Sequence, residues 1–194
     1  MMELVFASGN EHKVYEVAKK LGGSIPLKGL HDIGCTTDLP ETSDTLEGNA
    51  RQKARYVWDN YRVSCFADDT GLEVTALDMA PGVYSARYAG DQRNSADNMR
   101  LLLDNLQNQS DCSARFRTVI CLILEGEEYL FEGTVQGTIR PEPSGTEGFG
   151  YDPVFEPSGY AITFAEMSIE EKNLISHRGK AIAALRDFLS SRAQ

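Results

Sequence analysis

The chain has 194 residues, 41% of them hydrophobic and 25% charged, an ordinary globular composition long enough for one substantial core. Its net charge of −10 argues against a broad nucleic-acid surface, which needs clustered Lys and Arg, but leaves room for a small anionic ligand held by local cations or a metal. No apolar run approaches the roughly twenty residues of a membrane span, Met1-Met2-Glu3-Leu4 lacks the basic start of a signal peptide, and Cys35, Cys65, Cys112 and Cys121 follow neither a metal spacing nor a compact disulfide framework, so the expectation is one soluble, cytoplasmic domain over residues 1–194, away from membranes, with reduced thiols.

Leu4 to Ala7 reads as a short buried strand, followed by the small turn Ser8-Gly9-Asn10 and a helix with Val14, Val17, Ala18 and Leu21 at helical spacing, which Gly22-Gly23 should stop. A strand, a small-residue turn and a helix start place backbone N–H groups and the helix dipole where an anion can sit, and Lys13 adds charge in the first turn. The same pattern also opens α/β proteins that bind nothing there, and the P-loop spacing is missing. Residues 24 to 45 are rich in turns, with Glu41 in an exposed loop. The next helix runs from Leu46 to about Asn60 on a stripe of Ala50, Ala54 and Val57, and Arg51, Lys53 and Arg55 read as a solvated face without chemistry.

Val63 to Ala67 predicts a buried strand that delivers Asp68 and Asp69 to a Thr70-Gly71 turn. Successive strand side chains point to opposite faces, so Asp69 is expected to meet the site at the turn while Asp68 supports it from behind. A plain polar turn is the competing reading, because Asp, Thr and Gly are ordinary turn residues. Leu72 to Leu77 reads as a further strand, and residues 80 to 90 as a long loop. Ser95 can cap a helix with Met99, Leu102, Leu103 and Leu106 on one face. A hairpin follows, Arg115 to Leu124 and Glu128 to Ile139 around Glu125-Gly126-Glu127. Pro141 to Pro157 then carries Phe149, Gly150, Tyr151 and Asp152, with rings that plug the core or stack on a planar ligand. Ser168-Ile169-Glu170-Glu171 is a capping box opening a helix that bears Lys172. Ser176-His177-Arg178-Gly179 interrupts it before a last helix to about Ser190, and His177 and Arg178 can cap a helix or bind an anion at that boundary.

In this order Ser8 to Lys13, Ala67 to Leu72, Pro81 to Tyr88, Gly148 to Pro153 and Ser176 to Arg178 resemble the motifs of the inosine triphosphate pyrophosphatase family, over nearly the full length. The resemblance implies an α/β fold, a long mixed β-sheet flanked by helices with two lobes around a central nucleotide cleft. It also implies hydrolysis of non-canonical purine nucleoside triphosphates (ITP, dITP, XTP) to monophosphate and pyrophosphate. Ser8, Gly9, Asn10, Glu11, His12 and Lys13 then match the triphosphate loop, and Asp69, with Asp68 beside it, matches the proton acceptor and a magnesium ligand. Glu41 matches the other metal ligand, Thr70 a substrate contact, and Phe149, Gly150, Tyr151, Asp152, Lys172, His177 and Arg178 the base and sugar positions. Many members carry Glu where this chain has Gly48, which leaves Glu47 as an alternative acid near the metal. The resemblance further implies Mg2+ and a homodimer.

On that reading Asp69 orients or deprotonates a water for in-line attack at the α-phosphorus, and Lys13 neutralises the phosphates. Arg178, with His177, donates to a 6-keto oxygen and leaves a 6-amino group unmatched. Two alternatives stay open: a Maf-like pyrophosphatase acting on pyrimidine or modified nucleotides, and a nucleotide-binding protein without catalysis.

Overall fold

The structure, a computed structural model, describes residues 3–21 and 25–192, so the expected stop at Gly22-Gly23 lies outside them. Its elements are β1 (Leu4–Phe6), α1 (Glu11–Leu21), β2 (Leu27–Lys28), α2 (Leu46–Tyr61), β3 (Cys65–Val74), β4 (Pro81–Gly82), α3 (Ser95–Leu106), β5 (Ser113–Leu124), β6 (Glu127–Ile139), β7 (Phe155–Pro157), α4 (Ile169–Ile175) and α5 (His177–Arg192). The strands form one seven-stranded sheet in the order β2-β1-β3-β5-β6-β7, with β4 on β3. It is mixed: β1 runs parallel to β2 and β3, whereas β3–β4 and β6–β7 are antiparallel. Among the described residues no helix is long and apolar enough to cross a membrane.

The chain divides into two compact units, and the divisions fall inside β3, β5 and β6 and at the start of α5, between His177 and Arg178. The first takes the chain up to Asp69, Thr118–Gly133 and the chain from Arg178 on. Its core begins where β1 meets β3: Phe6 and Phe66 are register partners and their rings stack at 4.8 Å. Val17 and Leu21 of α1 and Ala181, Ile182, Leu185 and Leu189 of α5 close over them with Ile120 and Leu122. For α1, Val17 and Leu21 are residues whose spacing already marked one apolar face. The second unit, Thr70–Arg117 and Thr134–His177, packs Phe116, Phe155 and Phe164 with Leu72, Leu102 and Met167.

Several expectations change, among them the cap of α3, which is Asn94, whose side chain accepts from Asp97 N–H, rather than Ser95. Thr70-Gly71 is not a turn, because β3 runs through it to Val74, and what looked like a second strand at Leu72 is its continuation, ended by one 3-10 turn at Thr75–Leu77. The physical reason is tertiary. Gly71 lies against β4, where a Cβ would stand 2.5 Å from the Gly82 carbonyl oxygen, so its glycine serves close strand approach rather than turning. The ladder is helped by Leu72 N–H, which donates to Ser85 Oγ at 2.8 Å. The long loop after it holds β4 and a 3-10 turn at Ser85–Arg87. Finally, the interruption after α4 is a single residue: Ser176 caps α4, and α5 starts at His177. The capping box at Ser168 and Glu171 forms with both bonds present.

Candidate active site

The two central carboxylates share a strand and face different partners, as strand geometry requires. Asp68 is 1% exposed; its Oδ1 accepts from Lys13 Nζ and its Oδ2 from Arg178 Nε, both at 3.1 Å. Arg178 is itself buried and also donates through Nη1 to the buried Glu16 of α1. Burial alone would raise the Asp68 carboxyl, but Lys13, Arg178 and Lys53 outweigh it and hold Asp68 well below the ordinary carboxylate range. Burial likewise depresses Lys13, with Lys53 and Arg178 adding repulsion and Asp68 opposing them.

Asp69 lies on the other side of the backbone alternation. Its Oδ2 accepts from Asn49 Nδ2 at 3.1 Å and its Oδ1 from Lys53 Nζ at 3.4 Å. Lys53 in turn donates to Glu41 Oε1 at 2.6 Å. Burial pushes the Asp69 carboxyl upward; Lys53 and Lys13 pull it down and the Glu41 charge pushes it further up. For Lys53, burial is outweighed by Asp69 and Glu41, which keep its ammonium charged. The neighbouring acids thus sit in opposed environments, one firmly ionised and one with a strengthened affinity for a proton.

Lys53 and Asn49 were missed. Lys53 is not part of a solvated face: it is buried on the α2 stripe with Leu46, Asn49, Ala50, Ala54 and Val57. That stripe was readable, since positions 46, 49, 50, 53, 54 and 57 recur at the helical interval. What spacing could not supply was a reason for two polar residues to lie on it.

Around this cluster, Ser8 is half-buried and Gly9, Asn10, Glu11 and His12 are exposed. Ser8 Oγ accepts from Asn10 N–H at 3.2 Å, and Asn10 Oδ1 accepts from Lys13 N–H at 3.1 Å, so the loop is organised by its own side chains at the start of α1. Glu41 is half-buried in the loop before α2, and Glu47 lies in the first turn of that helix. Glu41 is joined to Asp69 through Lys53. Gly48, the departure from the family pattern, is packed closely: a Cβ there would stand 2.6 Å from Ser43 Cβ.

The second unit holds the remaining candidates. Thr70 is half-buried on β3. Lys172 is buried, and its Nζ donates to Asp152 Oδ2 at 2.7 Å while lying 5.1 Å from the Phe149 ring centroid and 5.5 Å from that of Phe164. The same Asp152 oxygen accepts from Phe149 N–H at 2.7 Å, which fixes the half-buried Phe149 and Gly150 beside it. Tyr151 takes the core role: it is buried and its hydroxyl donates to the Ser85 carbonyl at 2.8 Å. His177 stacks on Phe116 at 4.6 Å, nearly parallel at 16°.

The fold and site define a mixed α/β protein with two adjacent buried acids on one strand, each paired with cations from the neighbouring helices. The chain belongs to the Ham1 family, whose model matches residues 4–188. It is 54% identical over 190 residues to a dITP/XTP pyrophosphatase of Flavobacterium johnsoniae, covering 98% of this chain and 99% of that one. It also resembles the solved Ham1 proteins of Staphylococcus aureus, at 38% identity and TM-score 0.89 over 98% and 99% of the two chains, and of Coxiella burnetii, at 37% and 0.90 over 98% and 100%. The resemblance read from the motifs therefore stands, as does the mixed α/β fold it implied.

Proposed function

We propose that the protein is a pyrophosphohydrolase that cleaves non-canonical purine nucleoside triphosphates (ITP, dITP and XTP) to the monophosphate and pyrophosphate. One observation carries the reading: Asp69, its proton affinity raised by burial, lies beside the firmly ionised Asp68 and shares Lys53 with Glu41. The name dITP/XTP pyrophosphatase carried by relatives up to 54% identical supports it and weighs against pyrimidine substrates.

The donor set fits magnesium. Among the described residues no three His, Cys, Asp or Glu side chains gather to hold a metal. Magnesium needs no such cage: it takes one or two carboxylates and completes its shell with water and phosphate oxygens. Asp69 and Glu41 would hold it, and their mutual repulsion, now offset by Lys53, is what a cation relieves. When bound, the ion supplies charge neutralisation for the phosphates.

The chain's own groups do the rest. Asp69 takes a proton from the attacking water. Lys13 and the N–H groups of Ser8 to Lys13 hold phosphate oxygens. Asp68 keeps Lys13 and Arg178 in place. Phe149 stacks on the purine, with Gly150, Asp152, Lys172, His177 and Arg178 setting base and sugar contacts and Thr70 a substrate contact, while Tyr151 supports them from the core. Arg178, with His177, donates to a 6-keto oxygen and leaves a 6-amino group unmatched, which favours a 6-keto over a 6-amino purine. We take residues 1–194 as one functional domain, working as a homodimer in the cytoplasm. Pyrophosphate release from ITP with and without magnesium tests the proposal. A nucleotide-binding protein without catalysis would bind ITP and release none.

A further inference from the structure

The Asp69 carboxylate has both oxygens engaged, and the two engagements differ in kind. Oδ2 is held by Asn49, a short side chain locked at its other end, where Asn49 Oδ1 accepts from Ser43 N–H at 2.9 Å. Oδ1 is held by Lys53, a four-carbon stem whose ammonium is 3.4 Å away and more tightly bonded, at 2.6 Å, to Glu41. The Lys53 side chain is only 6% exposed, so this ammonium is a counter-ion enclosed between two carboxylates rather than a surface cation. An ammonium that already lies within reach of both carboxylates would oppose a divalent cation bound by the same two groups, because like charges repel.

We propose that Lys53 is a built-in competitor of the metal: in the metal-free protein its ammonium stands in for the divalent cation between Asp69 Oδ1 and Glu41, and the cation binds only by displacing it. The inference rests on the assignment of Asp69 and Glu41 as metal ligands. Its consequence is a free enzyme whose carboxylates are held together and neutralised without metal, at the cost of a weaker metal affinity. The group that moves is the Lys53 ammonium, since Asn49 is fixed at both ends and Asp69 is held in a strand. Removing the competitor should strengthen metal binding, because a bound ion would no longer have to expel a cation from a water-poor site.

The test is Mn2+ binding to the nucleotide-free protein, read from the electron paramagnetic resonance signal of free Mn2+. Lys53→Met, which keeps length and volume without charge, should bind Mn2+ at least about tenfold more tightly than the wild type, equivalent to about 1.4 kcal/mol. Arg51→Met removes an equal charge two residues away on the exposed side of α2, and should change the affinity by less than about twofold, as expected of a screened surface charge. Asp69→Asn should remove the site in either background. Unchanged or weaker Mn2+ binding by Lys53→Met overturns the competitor role. Mn2+ binding that Asp69→Asn leaves intact overturns the ligand assignment instead, so the two failures are distinguishable. The wild type gives a second reading that needs no variant to fold: the 15N signal of the Lys53 ammonium, followed during Mg2+ titration. Displacement predicts that it shifts and that its protons exchange faster at saturation, whereas an unaltered signal with Mg2+ bound would refute it.

Discussion

Asp68→Asn tests the proposal that Asp68 supports the site while Asp69 does the chemistry. Asparagine keeps the shape and one acceptor oxygen but removes the charge that Lys13 and Arg178 both meet at 3.1 Å. Breaking a buried pair by deleting one partner typically costs about 3–5 kcal/mol, because the remaining charge is left desolvated. Arg178 retains Glu16, which places the expectation near the lower end, about 3 kcal/mol. For a chain of this length that lowers Tm by about 6–12 °C. The pH dependence follows from the direction of the shift. The Asp68 carboxyl is held below its ordinary value in the folded protein, so its contribution is complete above the unfolded value, about 3.9, and is lost as pH falls towards the folded value. Guanidinium unfolding of both proteins between pH 3 and 7 should therefore show a gap that is constant down to about pH 5 and narrows below about pH 4. A gap under about 1 kcal/mol, or one that fails to narrow in acid, would refute the role given to Asp68.

Lys13→Ala should raise KM for ITP by about 10- to 150-fold, the equivalent of a charge-assisted hydrogen bond worth about 1.5–3 kcal/mol, with a smaller loss in kcat; an unchanged KM returns the Ser8 to Lys13 loop to a purely structural role. Phe149→Ala should raise KM for ITP by about tenfold, since stacking on a base is worth about 1–3 kcal/mol, while the half-buried ring's removal leaves the fold intact by circular dichroism; equal KM values would move base contact away from this ring.

Much of this was legible in the sequence, and the rest was hidden for identifiable reasons. Local signals were reliable: Ser168 and Glu171 form the capping box their spacing announces, and β5 and β6 form the predicted hairpin strands around Glu125-Gly126. Gly71 misled because glycine beside Asp and Thr is ordinary turn chemistry, while its real cause is the Gly82 carbonyl, eleven positions further along the chain and invisible to local pattern. Lys53 misled for a different reason. Its position on the buried stripe follows from helical spacing, but a lysine there makes sense only once β3 brings Asp69 alongside and the preceding loop brings Glu41. Arg178 is the third case. Its side chain reaches Asp68 and Glu16 across more than a hundred residues of sequence, so a boundary residue at the start of α5 proves to be a central buried cation.

The central claim is that Asp69 performs the chemistry that Asp68 only supports. Asp69→Asn keeps the shape and Asn49 beside it while removing the base, so pyrophosphate release from ITP with saturating magnesium should fall by about 10² to 10⁴ in kcat, with the unfolding midpoint little changed. Turnover near the wild-type rate, with ordinary magnesium dependence, would contradict the account.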